Sequence, residues 1–295
     1  MKCFRETSVK MIEADKIGWA AEMACLLEVN AKKPGNVTSR HDFNDTSFQD
    51  FIISAAAIGP AFRSAATLSV GEIILNAIRA TRSFVSSNTN LGIVLLLAPL
   101  AKAAGSDSAP SLQDAVKPVL NGLTIEDARK AYDAINLAKP AGMGTSNNHD
   151  LSESKVEITL LQAMEEARDR DSLAKEYVSN FNITFGIGLP ALRHTLSKGV
   201  SLPEAIVQTF LCILAEVPDT LIARKKGLET AQNVSNQAGR ILKNGGIFSN
   251  KKEIQLFDYS LRDEKHNLNP GTTADLIAAV LFAYLIEDNF PLLPK

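Results

Sequence analysis

The side chains of this sequence that could do chemistry gather in five polar strings, each beside an apolar stretch. The first, EVNAKKPGNVTSRHDFNDTSF, holds Glu28, Lys32, Lys33, Arg40, His41, Asp42 and Asp45. Asp42 and Asp45 could share a metal ion or a basic partner. Equally, Asp45 or Thr46 could cap the next helix while the lysines stay solvated. His41 alone reads as a surface histidine. In the second string, SSNTNLG, Asn88, Thr89 and Asn90 could offer amides and a hydroxyl to a ligand, or cap the apolar helix that follows. The third, KPAGMGTSNNHDLSES, contains Gly142, Gly144, Asn147 and Asp150. Its glycines allow close approach of backbone to a ligand, and they suit an ordinary turn as well.

The fourth string is EVPDTLIARKKG. Asp219 and Thr220 stand at a helix start, with Arg224, Lys225 and Lys226 one to two turns on. An acid for Mg²⁺ and cations for phosphate suit a nucleotide site, whereas an N-cap followed by a solvated basic face needs no ligand. The fifth, LNPGTTADL, leads into an apolar helix through Asn269, Gly271, Thr272 and Asp275. Thr272 and Asp275 have the spacing of a capping box. A helix start beside glycine also presents N–H groups to phosphate, and Asp275 there could hold Mg²⁺ against it. Taken together, acids, lysines and helix starts suit a Mg²⁺–nucleotide site better than a proteolytic or redox one. The familiar P-loop, dinucleotide-binding, zinc-protease and serine-hydrolase motifs are absent from the sequence.

The elements that must position these strings read as helices. Of 295 residues, 45% are hydrophobic and 22% charged, a soluble globular composition with ample length for a core. The net charge of −2 suggests neither a nucleic-acid nor a membrane surface. The three cysteines and four histidines have neither disulfide-framework nor metal-ligand spacing. The charged N-terminus does not read as a signal peptide, and the longest apolar run, 91–101, is too short to span a bilayer, so the expected place is the cytoplasm. Helical periodicity predicts elements over 12–29, 47–68 with a kink or split at Gly59-Pro60, 71–84 and 91–104, the last nearly all apolar and therefore central. Further helices are expected at SLQDAVKPVL, TIEDARKAYDAINLA, 155–170, 173–180, 183–197, SLPEAIVQTFLCILAEVP, KKEIQLFDYSLRDEK and the C-terminal apolar stretch. DTLIARKKGLETAQNVSNQAGRILKNGG reads as one long polar helix, and FNITFGIGL is the single candidate strand. The expectation is an all-α protein: one multi-helix domain over 1–295 with a buried central helix. Its apolar helices would permit a homo-oligomer without demanding one.

In order, EVNAKKPGNV, DFNDTSFQDFIISAAAI, NTNLG, AINLAKPAGMG, PDTLIARKKG and NPGTTADL resemble the triphosphoribosyl-dephospho-coenzyme A synthase family over about residues 28–276. The resemblance implies an all-α fold and an ATP-dependent transfer. In that reaction the triphosphoribosyl part of ATP moves to a ribose hydroxyl of dephospho-CoA and adenine leaves. It implies Mg²⁺ or triphosphate organisation at Asp219 and Asp275, a general base at Glu28 or Asp42, and phosphate contacts from Lys33 and from Arg224 or Lys225. Asn88, Asn90, Asn269, Gly271 and Thr272 complete the nucleotide-binding set. The family usually has Asn-Thr-His-Lys-Gly where this chain has Asn88-Thr89-Asn90-Leu91-Gly92, and an acid where Thr38 stands, so the chain reads as a divergent branch. Two other readings remain: a Mg²⁺-dependent hydrolase or phosphotransferase acting on a nucleotide-like cofactor intermediate, and a non-catalytic helical nucleotide-binding protein.

Overall fold

Four short polar-to-apolar transitions set the starts of helices by capping boxes. Ser47, Ser69, Thr124 and Thr159 each accept from the backbone N–H three residues on, while Asp50, Glu72, Asp127 and Gln162 reach back to the cap N–H. In a computed structural model, residues 2–106, 110–139, 156–249, 251–263 and 265–287 are described, the first twelve of them by backbone alone. Gly142, Gly144, Asn147 and Asp150, and with them most of the third polar string, lie outside the described residues.

In chain order the helices are α1 (Lys2–Asn30), α2 (Phe48–Arg63), α3 (Val70–Arg82), α4 (Leu91–Ala104), α5 (Leu112–Asn121), α6 (Ile125–Ala138), α7 (Leu160–Ala167), α8 (Ser172–Val178), α9 (Leu189–Ser197), α10 (Leu202–Glu216), α11 (Thr220–Lys226), α12 (Leu228–Lys243), α13 (Lys251–Ser260) and α14 (Gly271–Glu287). A π-helix, Ile183–Gly188, runs into α9, and a 3₁₀ turn, Gly246–Phe248, follows α12. No strand occurs among the described residues; one isolated bridge joins Thr38 and His41. The protein is all-α.

The expected central helix, α4, is buried over nearly its whole length, and α14 lies against it. Small residues let the helices approach closely: Ala20, Ala21 and Ala24 of α1 and Ala278, Ala279 and Ala283 of α14 are fully buried where these two helices meet the core. One hydrophobic cluster runs through the helices, so the polar strings at their ends are held by a continuous packed body. Among the described residues no single helix is long and apolar enough to cross a membrane.

Several expectations are corrected. FNITFGIGL is the π-helix and the start of α9, and its β-branched residues do not make a strand. The fully buried Glu176 carboxylate accepts from Ile183 N (2.9 Å), Thr184 N (2.7 Å) and the Thr184 hydroxyl (2.5 Å), which fixes this segment in a helical turn. Gly188 then lies so close to α14 that a Cβ there would sit 2.2 Å from Val280 Cγ2. Tertiary contact has overridden local propensity. The long polar helix is two helices, α11 and α12, broken at Gly227, whose φ of +88° and ψ of 157° suit glycine alone. The helix expected over 155–170 is confined to α7, because Thr159 caps it. The helix around Gly59-Pro60 is not split: α2 runs through Pro60. The Thr272–Asp275 capping box does not form, for a reason that belongs to the site.

Candidate active site

Five chain segments meet at one cavity of about 1110 Å³. They are the end of α1, the loop that leads into α2, the start of α4, the α6–α7 pair, and the junction of α11 with α14. Of the residues singled out in the sequence, Glu28, Asn88, Asn90, Arg224, Lys225, Asn269, Gly271, Thr272 and Asp275 line it. Lys33, Asp42 and Asp219 do not.

The Lys-Pro-Gly turn shows why Lys33 is set apart. Its side chain is fully buried, and its ammonium lies 2.9 Å from Glu28 Oε1 while also donating to the carbonyls of Glu28 and Ala31. A buried cation needs such partners, because desolvation without them is prohibitive. The consequence is a fixed Glu28 at the cavity wall. Gly35 follows with φ +74°, and a Cβ there would meet Leu261 Cβ at 2.9 Å. Its N–H donates to Asp258 Oδ1 (2.7 Å), and Arg262 joins Asp258 to the Asn36 carbonyl. The turn after α1 is thereby clamped to the end of α13, next to Asn269 and Pro270. Asp42 has a local role: Oδ1 accepts from Phe48 N (2.7 Å) at the start of α2. Its neighbour Asp45 faces the cavity instead.

Asp219 is a double cap. Oδ1 accepts from Leu221 N (2.9 Å) and Ile222 N (3.1 Å) at the start of α11; Oδ2 accepts from Thr273 N (2.7 Å) and its hydroxyl (2.8 Å) at the start of α14. Burial pushes its carboxyl up from the ordinary value, and these donors pull it back down. Thr220 donates to the Thr272 hydroxyl (3.1 Å), a second tie between the same two helices. Because Asp219 supplies the cap from another helix, Thr272 lies inside α14 and Asp275 is released to face the cavity.

Asp275 receives no hydrogen bond or ion pair from any described residue. Its carboxyl is raised well above the ordinary value, first by burial and then by the negative charges of Glu28, Asp219 and Asp171. Against it lies the start of α4. A Cβ on Gly92 would sit 2.0 Å from Asp275 Oδ2 and 3.1 Å from Leu173 Cδ1, so only glycine leaves room for the carboxylate. Asn88 Oδ1 accepts from Leu91 N (3.2 Å), Asn90 donates to Thr81 Oγ1 (2.9 Å), and Thr89 shares a 2.6 Å hydrogen bond with Ser54. Where the resemblance leads one to expect a His-Lys pair, this chain has a buried amide, Asn90, tied to α3 and a buried leucine, Leu91.

Positive charge enters from elsewhere. Lys225 Nζ donates to the His266 carbonyl (3.0 Å) and Asn269 Oδ1 (3.1 Å), and burial lowers its pKa below the usual lysine value. Arg224 pairs with Asp171 at 2.7 Å. Lys265, Arg82, Lys139 and Arg170 also line the cavity and were not singled out in the sequence. Phe43 and His266 stack on its wall, ring centroids 4.0 Å apart. Arg82, Arg170, Lys265 and His266 fall outside the five strings, and no local spacing marks Phe43 or Lys139 within theirs; only the fold gathers them.

Carboxylates and a ring of cations, the latter carried on last helical turns and in loops, line an all-helical cavity that suits a polyphosphate substrate. The comparisons with known proteins carry this further. Residues 14–292 match the family model described as CitG, ATP:dephospho-CoA triphosphoribosyl transferase, and the chain belongs to that family. A relative from Vibrio cholerae serotype O1 (strain M66-2), named a probable 2-(5''-triphosphoribosyl)-3'-dephosphocoenzyme-A synthase, is 26% identical over 93% of this chain and 89% of its own length. One from Malonomonas rubra with the same name is 34% identical, over 34% of this chain and 32% of that relative. A crystal structure from Archaeoglobus fulgidus, of a protein provisionally named triphosphoribosyl-dephospho-coA synthase, superposes with a TM-score of 0.62 at 26% identity. The match covers 79% of this chain and 97% of that one.

Proposed function

We propose that this protein transfers the triphosphoribosyl group of ATP to a ribose hydroxyl of dephospho-CoA and releases adenine. The observation that carries the reading is the meeting of Glu28, Asp275, Arg224, Lys225 and Asn269 on one cavity in a member of this family.

The chemistry follows from the bonds exchanged. The C1′–N9 bond of ATP breaks, its electron pair leaves with adenine, and a C1′–O bond forms to the acceptor hydroxyl. Positive charge develops on the ribose in between, as in glycoside cleavage. Carboxylates beside the sugar stabilise that charge. Glu28 takes the hydroxyl proton; Lys33 holds one of its oxygens and leaves the other for the substrate. Lys225, Arg224 and the start of α14 bind the triphosphate, which is carried across intact. Adenine is a better leaving group when protonated.

Mg²⁺ fits Asp275, which faces the cavity without a donor; magnesium is commonly held by one or two carboxylates together with substrate phosphates. Asp219 does not suit it, because its oxygens already take four donors. No group of three or more His, Cys, Asp or Glu side chains able to cage a metal occurs among the described residues, so substrate oxygens would complete the shell. When bound, the ion would neutralise phosphate charge. A cytoplasmic setting follows from the need for ATP.

The test is chromatographic. With Mg-ATP, adenine should appear in the presence of dephospho-CoA and stay absent without it. No adenine from folded, ATP-binding protein would overturn the assignment.

A further inference from the structure

The cavity is not uniform. At the α11–α14 end its wall is dense in cations, with Arg224, Lys225 and Lys265 beside the start of α14. At the other end, between α6 and α7, the floor is apolar: Ile135, Leu160, Ala163 and Met164, with the half-buried ring of Tyr132. The cations of this end, Arg82, Lys139 and Arg170, sit on its rim, and Arg82 holds the neighbouring turn by donating to the Val85 and Ser86 carbonyls. Neither arginine pairs with a carboxylate among the described residues. The Ser87 hydroxyl, on the same wall, is buried without a partner among the described residues. Glu166 adds one acceptor at the edge.

The transfer needs two polyphosphates bound at once, and they differ in kind. One is compact and carries three phosphates. The other carries a diphosphate and a long, largely uncharged tail with amides and a hydroxyl. We infer that the arm between α6 and α7 is the acceptor subsite, taking a diphosphate with a pantetheine-like tail. Arg82 and Arg170 bind the diphosphate, Tyr132, Ile135, Leu160 and Met164 lie under the tail, and Ser87 and Glu166 meet its polar groups. An apolar floor gains nothing from a triphosphate but excludes water from an alkyl-amide chain. The other end, where Lys225 and Lys265 stand beside the start of α14 and no apolar floor intervenes, is left for the compact triphosphate. Gly92 and Asp275 stand at the junction of the two arms, where the reacting atoms must meet. This inference rests on the reaction proposed above.

Calorimetric titration of ATP and of dephospho-CoA, each into wild type, Arg170→Glu and Ala163→Trp, tests it. Arg170 is exposed, so its reversal leaves the core untouched; Ala163→Trp fills the apolar floor directly. Loss of one charge-assisted contact should weaken dephospho-CoA about tenfold or more while ATP stays within about twofold. Equal weakening of ATP, an unchanged affinity for dephospho-CoA in both variants, or no dephospho-CoA binding by wild type would overturn the subsite. Binding is read without turnover. A wild type that binds dephospho-CoA selectively through this arm yet releases no adenine would defeat the proposed reaction and leave the subsite standing.

Discussion

A methyl group at position 92 would occupy the place of an Asp275 oxygen, 2.0 Å away. Gly92→Ala should therefore displace that carboxylate by about an ångström and lower kcat/KM about a hundredfold. The circular dichroism spectrum should stay native, and full activity in Gly92→Ala would deny Asp275 its role. A different buried acid predicts pH behaviour. Burial raises Glu176 from 4.5 to about 7, against the pull of its three donors. Between those values the folded state binds more protons than the unfolded chain, so stability falls as pH rises through the window and levels off above it. The fall should approach, and not exceed, roughly 3 kcal/mol. Urea midpoints of wild type and Glu176→Gln across this range check it: the variant should show a flatter profile, and parallel profiles would contradict it. At this scale the sequence was partly legible. Asp275 stood out because so polar an entrance leads into so apolar a helix, although a first-turn acid also suits a helix start. Asp219 stood out as well, but its partner Thr273 is 54 residues away, and no local spacing reveals a shared cap.

Helix starts carry a local signal, because Ser47, Ser69, Thr124 and Thr159 each place an acid or amide three residues on and all four boxes form; even so, Ser47 caps α2 where Asp45 or Thr46 was expected, and the helix expected from 155 starts at Leu160. The apolar run of α4 begins and ends where periodicity placed it. Less legible was Gly227. A glycine inside a helical pattern costs only about 1 kcal/mol, so periodicity on both sides concealed the break. Its backbone angles make a clean prediction. Nothing lies within 4 Å of a Cβ built there, so the whole cost of Gly227→Ala is conformational, about 1–3 kcal/mol. Thermal unfolding should show a lower Tm. An unchanged Tm would mean that α11 and α12 can join as one helix. The helical course expected over 183–197 is found, but its opening as a π-helix was not legible: Ile183, Thr184 and Phe185 favour strand locally, and the Glu176 cap that opposes them is set by burial.

At the scale of the whole molecule, burial of α4 and α14 brings four of the five polar strings to one cavity; of the third, only Lys139 is described there. Each string alone also reads as a cap, a turn or a solvated face, and several residues are caps. Lys33 proved inward-facing because a cation in the Lys-Pro-Gly turn could be solvated or buried, and only packing decides. The site thus became legible through the order of the strings and their convergence. The central claim is that the triphosphate crosses to the acceptor uncut while the glycosidic bond breaks. A ³¹P spectrum of the completed reaction with Mg-ATP and dephospho-CoA tests that claim most directly. The account predicts a product that retains three linked phosphates on the transferred ribose, in step with adenine. Inorganic phosphate or pyrophosphate appearing in its place would contradict it and point to hydrolysis or phosphoryl transfer.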